Sequence, residues 1–333
     1  MDEANEKLEA IRARYQAVMA PLFFPERPAE PDIIQLFASL LRVVGMEDAG
    51  WDPYMESRAV LEDLNRLMQI PLPEDRFADR ELTGWRLGLL FYTHVVEMSA
   101  PYEVLLNLLR FRLGKGYSPN PYYDFLTKDE RKRAAKSGLF PSKKIQIIGQ
   151  LGDEAGLNLK SIFLDFYSGP FRNAVAHSDF IFTDEGFRCR NDLFGKSFKL
   201  SFAEVDVLIT HAKAFIGAFF TLEREARRGW GTNAGQGHAY DAAYKGVMEI
   251  LADDVGLMNG FKVHWPNGSE STYRRTEAGI DMTNCMLDLE ANTIGLMVGL
   301  YARDRDPFSP LVERGEAPVY TPLENGEPTV WLP

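Results

Sequence analysis

Between Ser201 and Arg224 the chain carries its most restrictive pattern. Val205, Leu208, Ile209, Ala212, Phe215, Ile216, Phe219 and Phe220 recur three and four residues apart, which places them along one face of an α-helix. Ahead of them, Ser201-Phe-Ala-Glu204 forms a capping box. The serine oxygen accepts one backbone N–H and the glutamate reaches back to another. A helix with so wide an apolar face must be covered by neighbouring elements. The spacing predicts that it ends before Gly229.

The rest of the first two-thirds is also dominated by the helical period. Leu8, Ile11, Tyr15 and Met19 make one stripe that stops before Pro21. Ile33, Leu36, Phe37, Leu40, Leu41 and Val44 make a second, ended near Gly45, and Met55 to Met68 a third. Thr83 to Met98 reads as a buried helix with Trp85, Leu89, Tyr92 and Val96 in line. Ser99 and Pro101 then suit a new helix start, and Tyr102 to Leu113 continues as that helix until Gly114 and Gly116 stop it. Ser142 to Ala155 and Leu159 to Tyr167 follow the same period. Asp179–Phe182 and Phe187–Arg190 alternate around Thr-Asp-Glu-Gly, the pattern of a small hairpin.

After Gly229 the pattern changes. Gly-Trp-Gly-Thr-Asn-Ala-Gly-Gln-Gly reads as a linker, since no Gly-Lys-Ser/Thr follows to make a phosphate-binding loop. A helix near Tyr240–Leu251 is expected, then strands at Phe261–Trp265, Ser271–Arg274, Asp281–Leu289 and Thr293–Tyr301. Pro266-Asn267-Gly268 marks the turn between the first two. The tail after Pro307 is rich in proline and is expected to wrap the surface. The expected fold is therefore mainly α, with a short β-hairpin and a small C-terminal α+β region. Its parts are residues 1–75 (N-terminal helical segment), 76–228 (helical core) and 229–333.

The 333 residues carry 37 Lys+Arg against 48 Asp+Glu, a formal net charge of -11. That argues against coating nucleic acid through the whole surface. The charge reverses locally at Lys128–Lys144, with seven basic side chains against two acidic ones. Arg131, Lys132, Arg133, Lys136, Lys143 and Lys144 form a candidate track for a nucleic-acid backbone, with Tyr122 and Tyr123 as stacking surfaces. The bland alternative is a solvated helix face. Cys189 and Cys285 are the two cysteines, too few for a disulfide framework or a four-thiolate zinc site. No His, Asp or Glu cluster has metal-ligand spacing, so no cofactor or metal is expected. The charged start lacks the apolar core of a signal peptide, and Leu87–Val96 is too short and too polar to span a bilayer. The expectation is a soluble cytoplasmic protein with no membrane partner.

The chemistry-bearing signal is Arg172-Asn173-Ala174-Val175-Ala176-His177, in a chain of five histidines. Ser168 can cap a helix here and Pro170 falls near its first turn. Asn173 and His177, four apart, stack on one face. Arg172 lies about 140° round from His177 at about 100° per residue, and its long side chain can swing to their shared edge. Small residues between them suit close packing.

The run Phe-Arg-Asn-Ala-Val-Ala-His-Ser-Asp-Phe, followed by a hairpin and a long amphipathic helix, resembles the HEPN superfamily of helical domains. The hallmark there is an arginine, four to six spacers and a histidine, often with a polar residue after the arginine. The resemblance covers roughly 142–226 and extends to about 81. It implies a HEPN-like helical bundle and a metal-independent endoribonuclease acting on RNA, single-stranded by preference, with its site across a homodimer, in stress or phage defence. His177 would be general acid or base, Arg172 would stabilise charge on the phosphate, and Asn173 would orient the phosphate or the histidine. The products would be a 2′,3′-cyclic phosphate and a 5′-hydroxyl. Glu97, ending His-Val-Val-Glu-Met, would be the acidic residue that some members set beside the pair. The chain departs from a toxin subset that has tyrosine two residues after the histidine, since Asp179 stands there. Many members are non-catalytic, so a HEPN-fold interaction or regulatory module, with Arg172 and His177 as a buried structural pair, is the alternative.

Overall fold

The computed structural model describes residues 3–26, 33–42, 53–73, 75–77, 79–190, 196–239, 246–265, 268–276, 279–288 and 293–296, together with four two-residue strands in the C-terminal tail. The helices come first: α1 (Glu3–Phe23), α2 (Ile33–Leu41), α3 (Pro53–Gln69), α4 (Arg80–Glu97), α5 (Ser99–Arg112), α6 (Lys128–Ser137), α7 (Pro141–Glu154), α8 (Leu159–Phe166) and α9 (Gly169–Ala176). Three strands follow, β1 (Phe180–Thr183), β2 (Gly186–Arg190) and β3 (Ser197–Ser201), then α10 (Phe202–Gly231). The remainder is strand: β4 (Gly237–Ala239), β5 (Val247–Ala252), β6 (Met258–His264), β7 (Glu270–Thr276), β8 (Gly279–Thr283), β9 (Cys285–Asp288) and β10 (Thr293–Leu296). The protein is mostly helical, as the periodicity predicts.

Two compact units divide the chain, and neither is continuous in sequence. The first comprises Met1–Pro21, Asp52–Leu105 and Asp124–Leu222; the second comprises Leu22–Trp51, Leu106–Tyr123 and Glu223–Pro333. This differs from the three consecutive parts drawn from composition.

The first unit is centred on the apolar face of α10. Val205, Ala212, Phe215 and Phe219 are fully buried. Phe215 stacks on Phe166 at 5.1 Å and meets Phe163 at 5.3 Å, while Phe163 stacks on Tyr102 at 5.5 Å. Rings of this size contribute about 1.5–3 kcal/mol each when buried, so they bind α5, α8 and α10 together. The capping box forms as its sequence predicts. Ser201 N donates to Glu204 Oε2 at 2.7 Å and Glu204 N to Ser201 Oγ at 3.2 Å.

The hairpin gains a third antiparallel strand, β3, in the order β1-β2-β3. Phe187 on β2 is buried among Phe171, Phe180, Phe182, Phe202 and Trp85. This aromatic cluster holds the sheet against α4, α9 and the start of α10. By length and composition α10 is long and apolar enough to cross a membrane, and half of its most apolar window is buried inside the protein.

In the second unit, β4 to β8 form a five-stranded antiparallel sheet in sequence order. Phe37 of α2 packs on Phe261 of β6 and meets Trp230 edge-on at 5.1 Å. Arg275 on β7 donates to the carbonyls of Leu41 and Arg42 at the end of α2, at 3.1 and 2.8 Å.

Four expectations change here. The helix expected near Tyr240–Leu251 is instead strand at Val247–Ala252, and 240–245 lie outside the described residues. Val247, Met248 and Ile250 are buried in a central strand, where sheet pairing overrides a short apolar run that fits either period. The Gly-rich linker is structured as well: α10 continues through Gly229 to Gly231, and Gly237 opens β4. The run Asp281–Leu289 breaks at Asn284, whose φ of 49° turns the chain between β8 and β9. Finally, α1 runs past Pro21, with Leu22 and Phe23 buried in its last turn. Pro266-Asn267, Gly45, 297–301 and the chain from Pro307 to 318 lie outside the described residues.

Candidate active site

The short helix α9 is fixed before its functional side chains are considered. Ser168 caps it, accepting from Phe171 N at 3.4 Å, with Pro170 in the first turn. Phe171 and Ala174 are fully buried, so one face is committed to packing. On α4, Tyr92 donates its hydroxyl to Phe166 O at 3.1 Å and accepts from Ser168 N at 3.3 Å. Its ring also contacts Phe171 at 5.4 Å. One buried tyrosine thus ties α4, the end of α8 and the start of α9.

That arrangement brings Arg172 to the last residue of α4. Its Nε donates to Glu97 Oε1 in a short hydrogen bond, and Nη1 donates to Asn173 Oδ1 at 2.9 Å. The Arg172 side chain is 16% exposed and that of Glu97 38%. The bond to Glu97 raises the guanidinium pKa, so this arginine keeps its charge. Of the four expected site residues, Arg172, Asn173 and Glu97 are joined by these bonds.

His177 is placed differently. It is the C-cap of α9, and its N–H donates to Asn173 O at 3.0 Å. Its side chain is exposed, and no hydrogen bond joins its ring to another described residue. The turn after it is a complete Schellman motif. Asp179 N donates to Ala174 O at 2.7 Å and Ser178 N to Val175 O at 3.1 Å, with Ser178 at φ 59°. Asp179 pairs with Arg190 of β2 at 2.7 Å, which locks the helix end to the sheet.

The basic run is not one surface. Lys132, Arg133 and Lys136 are exposed on α6. Arg131 donates to Leu126 O, and Lys143 pairs with Glu130 at 3.0 Å. The Thr127 backbone N–H, then Lys143, hold the Glu130 carboxyl down at about 2. Lys144 corrects the expectation of an RNA contact. It is 6% exposed, donates to Ser99 Oγ at 2.7 Å and lies 5.7 Å from the Tyr102 ring. Burial lowers its pKa, with Glu103 and Glu97 opposing that shift. Tyr122, expected as a stacking surface, is 8% exposed, whereas Tyr123 is exposed.

Three other histidines are engaged, whereas Nε2 of His238 is buried without a hydrogen-bond partner among the described residues. His94 bonds Ser57 O at 3.1 Å, and His264 lies between Glu249 at 2.8 Å and Glu270 at 3.1 Å. Sequence reasoning missed a third network, in which the buried Tyr15 hydroxyl donates to Asp165 at 2.8 Å and meets His211 Nδ1 at 2.5 Å. Both cysteines are free, and burial pushes Cys189 up to about 11 and Cys285 to about 12, far from a reactive thiolate.

No family model, curated protein or solved structure matches the chain.

Proposed function

We propose that the protein is a metal-independent endoribonuclease of the HEPN kind, acting in the cytoplasm as a homodimer on single-stranded RNA. The observation that carries this reading is the division of labour on α9. Arg172 is oriented by Glu97 and Asn173, and His177 stands exposed at the end of the same helix.

The chemistry needs those two groups. His177 takes the proton from a ribose 2′-hydroxyl as its oxygen attacks the adjacent phosphorus; imidazole titrates near neutral pH and suits this role. The bond from phosphorus to the 5′-oxygen then breaks. That oxygen takes a proton from water as it leaves, and the phosphate is left as the 2′,3′-cyclic diester. Arg172 directs Nη2, which bonds no other described residue, at the charge gathering on the phosphate oxygens. Lys132, Arg133 and Lys136 attract the backbone electrostatically.

A second reading has its own support. The bond between Arg172 and Glu97 ties α9 to α4, as it would in a HEPN-fold interaction module without catalysis.

The test is cleavage of labelled mixed-sequence RNA in excess EDTA by the wild type, Arg172→Ala and His177→Ala. Cyclic-phosphate products lost in both variants support the nuclease. Equal cleavage by all three, or none by the wild type as a dimer, supports the interaction module.

A further inference from the structure

Within the first unit a cleft of about 310 Å³ opens between α1, α3, α4 and α10. Leu61, Phe91, Ile216 and Phe220 supply apolar lining, and Lys213 and Gly217 of α10 also face it. The other charges in its wall are matched. Arg12 pairs with Glu9 at 3.2 Å and donates to Thr221 at 2.6 Å, and Glu62 pairs with Arg58 at 3.1 Å. Lys213 has no carboxylate within ion-pair distance among the described residues. Its ammonium lies 5.9 Å from the centroid of the Phe91 ring. Burial lowers its pKa, which Asp206 on the same helix opposes. Lys213 also lines a second cleft of about 310 Å³, on the side of Leu67, Trp85 and Ile209, where Asp206 and Glu81 face it too.

A half-buried ammonium whose nearest carboxylate, Asp206, lies beyond ion-pair distance is costly unless a ligand brings a closer one. Gly217 adds a second sign. A Cβ there would meet only the Arg12 side chain, at 3.7 Å, so neither a turn nor a close backbone approach demands glycine, and its effect is to leave the cleft open. A glycine inside a helix costs about 0.5–1 kcal/mol relative to alanine. The cleft size falls at the lower end of the range for small-molecule sites, which combine apolar walls with few polar anchors.

We infer that this cleft binds a small amphipathic carboxylate, with its anionic head on Lys213 and its apolar body against Phe91, Ile216 and Phe220. The inference uses none of the residues of the proposed nuclease site and stands apart from it.

The test is calorimetric titration of the full chain with octanoate and with its neutral analogue octanamide, on wild type, Lys213→Met and Gly217→Leu. Octanoate is expected to bind at least about tenfold more tightly than octanamide. Lys213→Met is expected to erase that preference, and Gly217→Leu to weaken both ligands about tenfold by filling the space. Octanoate binding no tighter than octanamide, or a preference retained in Lys213→Met, would overturn the inference. If Lys213→Met does not fold, unchanged octanoate affinity in Gly217→Leu overturns it alone.

Discussion

Arg172 and Glu97 lie 75 residues apart and meet through a bond from Nε to Oε1, so the last residue of α4 holds the middle of α9. A hydrogen bond to a charged group contributes about 1.5–3 kcal/mol when well shielded. Glu97 is more than a third exposed, and solvent screening reduces the figure. Glu97→Gln is therefore expected to lower unfolding stability by about 1 kcal/mol in urea titrations. A double-mutant cycle with Arg172→Gln should return a coupling of about 0.5–1 kcal/mol. A coupling near zero would mean that the pair positions Arg172 without stabilising the fold.

The network of Tyr15, Asp165 and His211 predicts a pH dependence. One hydroxyl has one proton; Tyr15 gives it to Asp165, so His211 Nδ1 donates to the tyrosine oxygen in the neutral ring. Burial lowers the His211 pKa, with Asp165 opposing. The folded pKa thus lies below the unfolded value of about 6.5. The unfolded chain binds the proton more readily, so this contribution is complete above about pH 6.5 and is lost as pH falls through the folded pKa. Urea titrations at several pH values should show the wild type losing stability on acidification more steeply than His211→Asn. Parallel pH profiles would remove His211 from the account.

At the end of α9 a serine occupies a position that glycine fills at no steric cost. Ser178 has φ 59° in a Schellman turn, and a non-glycine residue there costs about 1–2 kcal/mol. Glycine also gives the unfolded chain more freedom, which offsets part of the gain. Ser178→Gly is expected to stabilise by roughly 0.5–1 kcal/mol. A loss of stability would show that the Ser178 side chain contributes something the backbone argument omits.

How far the sequence discloses this molecule depends on the range of the interaction. The Ser201–Glu204 box and the α10 stripe are local, and both appear in the structure where spacing puts them. The Ser168 cap and the helix carrying Arg172 to His177 are local too. Glu97 beside Arg172 is expected only from resemblance to a family. The link from Tyr15 to His211 spans 196 residues, and no spacing rule reaches that far. The inward turn of Lys144 is hidden for a related reason. A basic run carries no mark of which lysine turns inward, and the Ser99 hydroxyl and Tyr102 ring that receive it lie on another helix. The strand at Val247–Ala252 is not legible locally because its partners, β4 and β6, decide between two periods that a short apolar run fits equally.

Gly229 and Gly231 test whether this glycine-rich stretch is packed helix, because substitutions two residues apart should have opposite signs. Both lie in α10. A Cβ at Gly229 would meet nothing within 4 Å, so Gly229→Ala should stabilise by about 0.5–1 kcal/mol through helix propensity alone. At Gly231 a Cβ would fall 2.1 Å from Gly256 O, in the turn before β6, and 3.1 Å from Met258 N. Both neighbours are backbone and cannot rotate away. Gly231→Ala should therefore cost about 1–3 kcal/mol, the usual range for forcing atoms into a filled space. The same contact explains why a glycine-rich stretch here is packed structure: the close approach of two backbones leaves no room for a side chain. Thermal melts of the two variants beside wild type decide the matter, and equal small effects at both positions would return the segment to a linker.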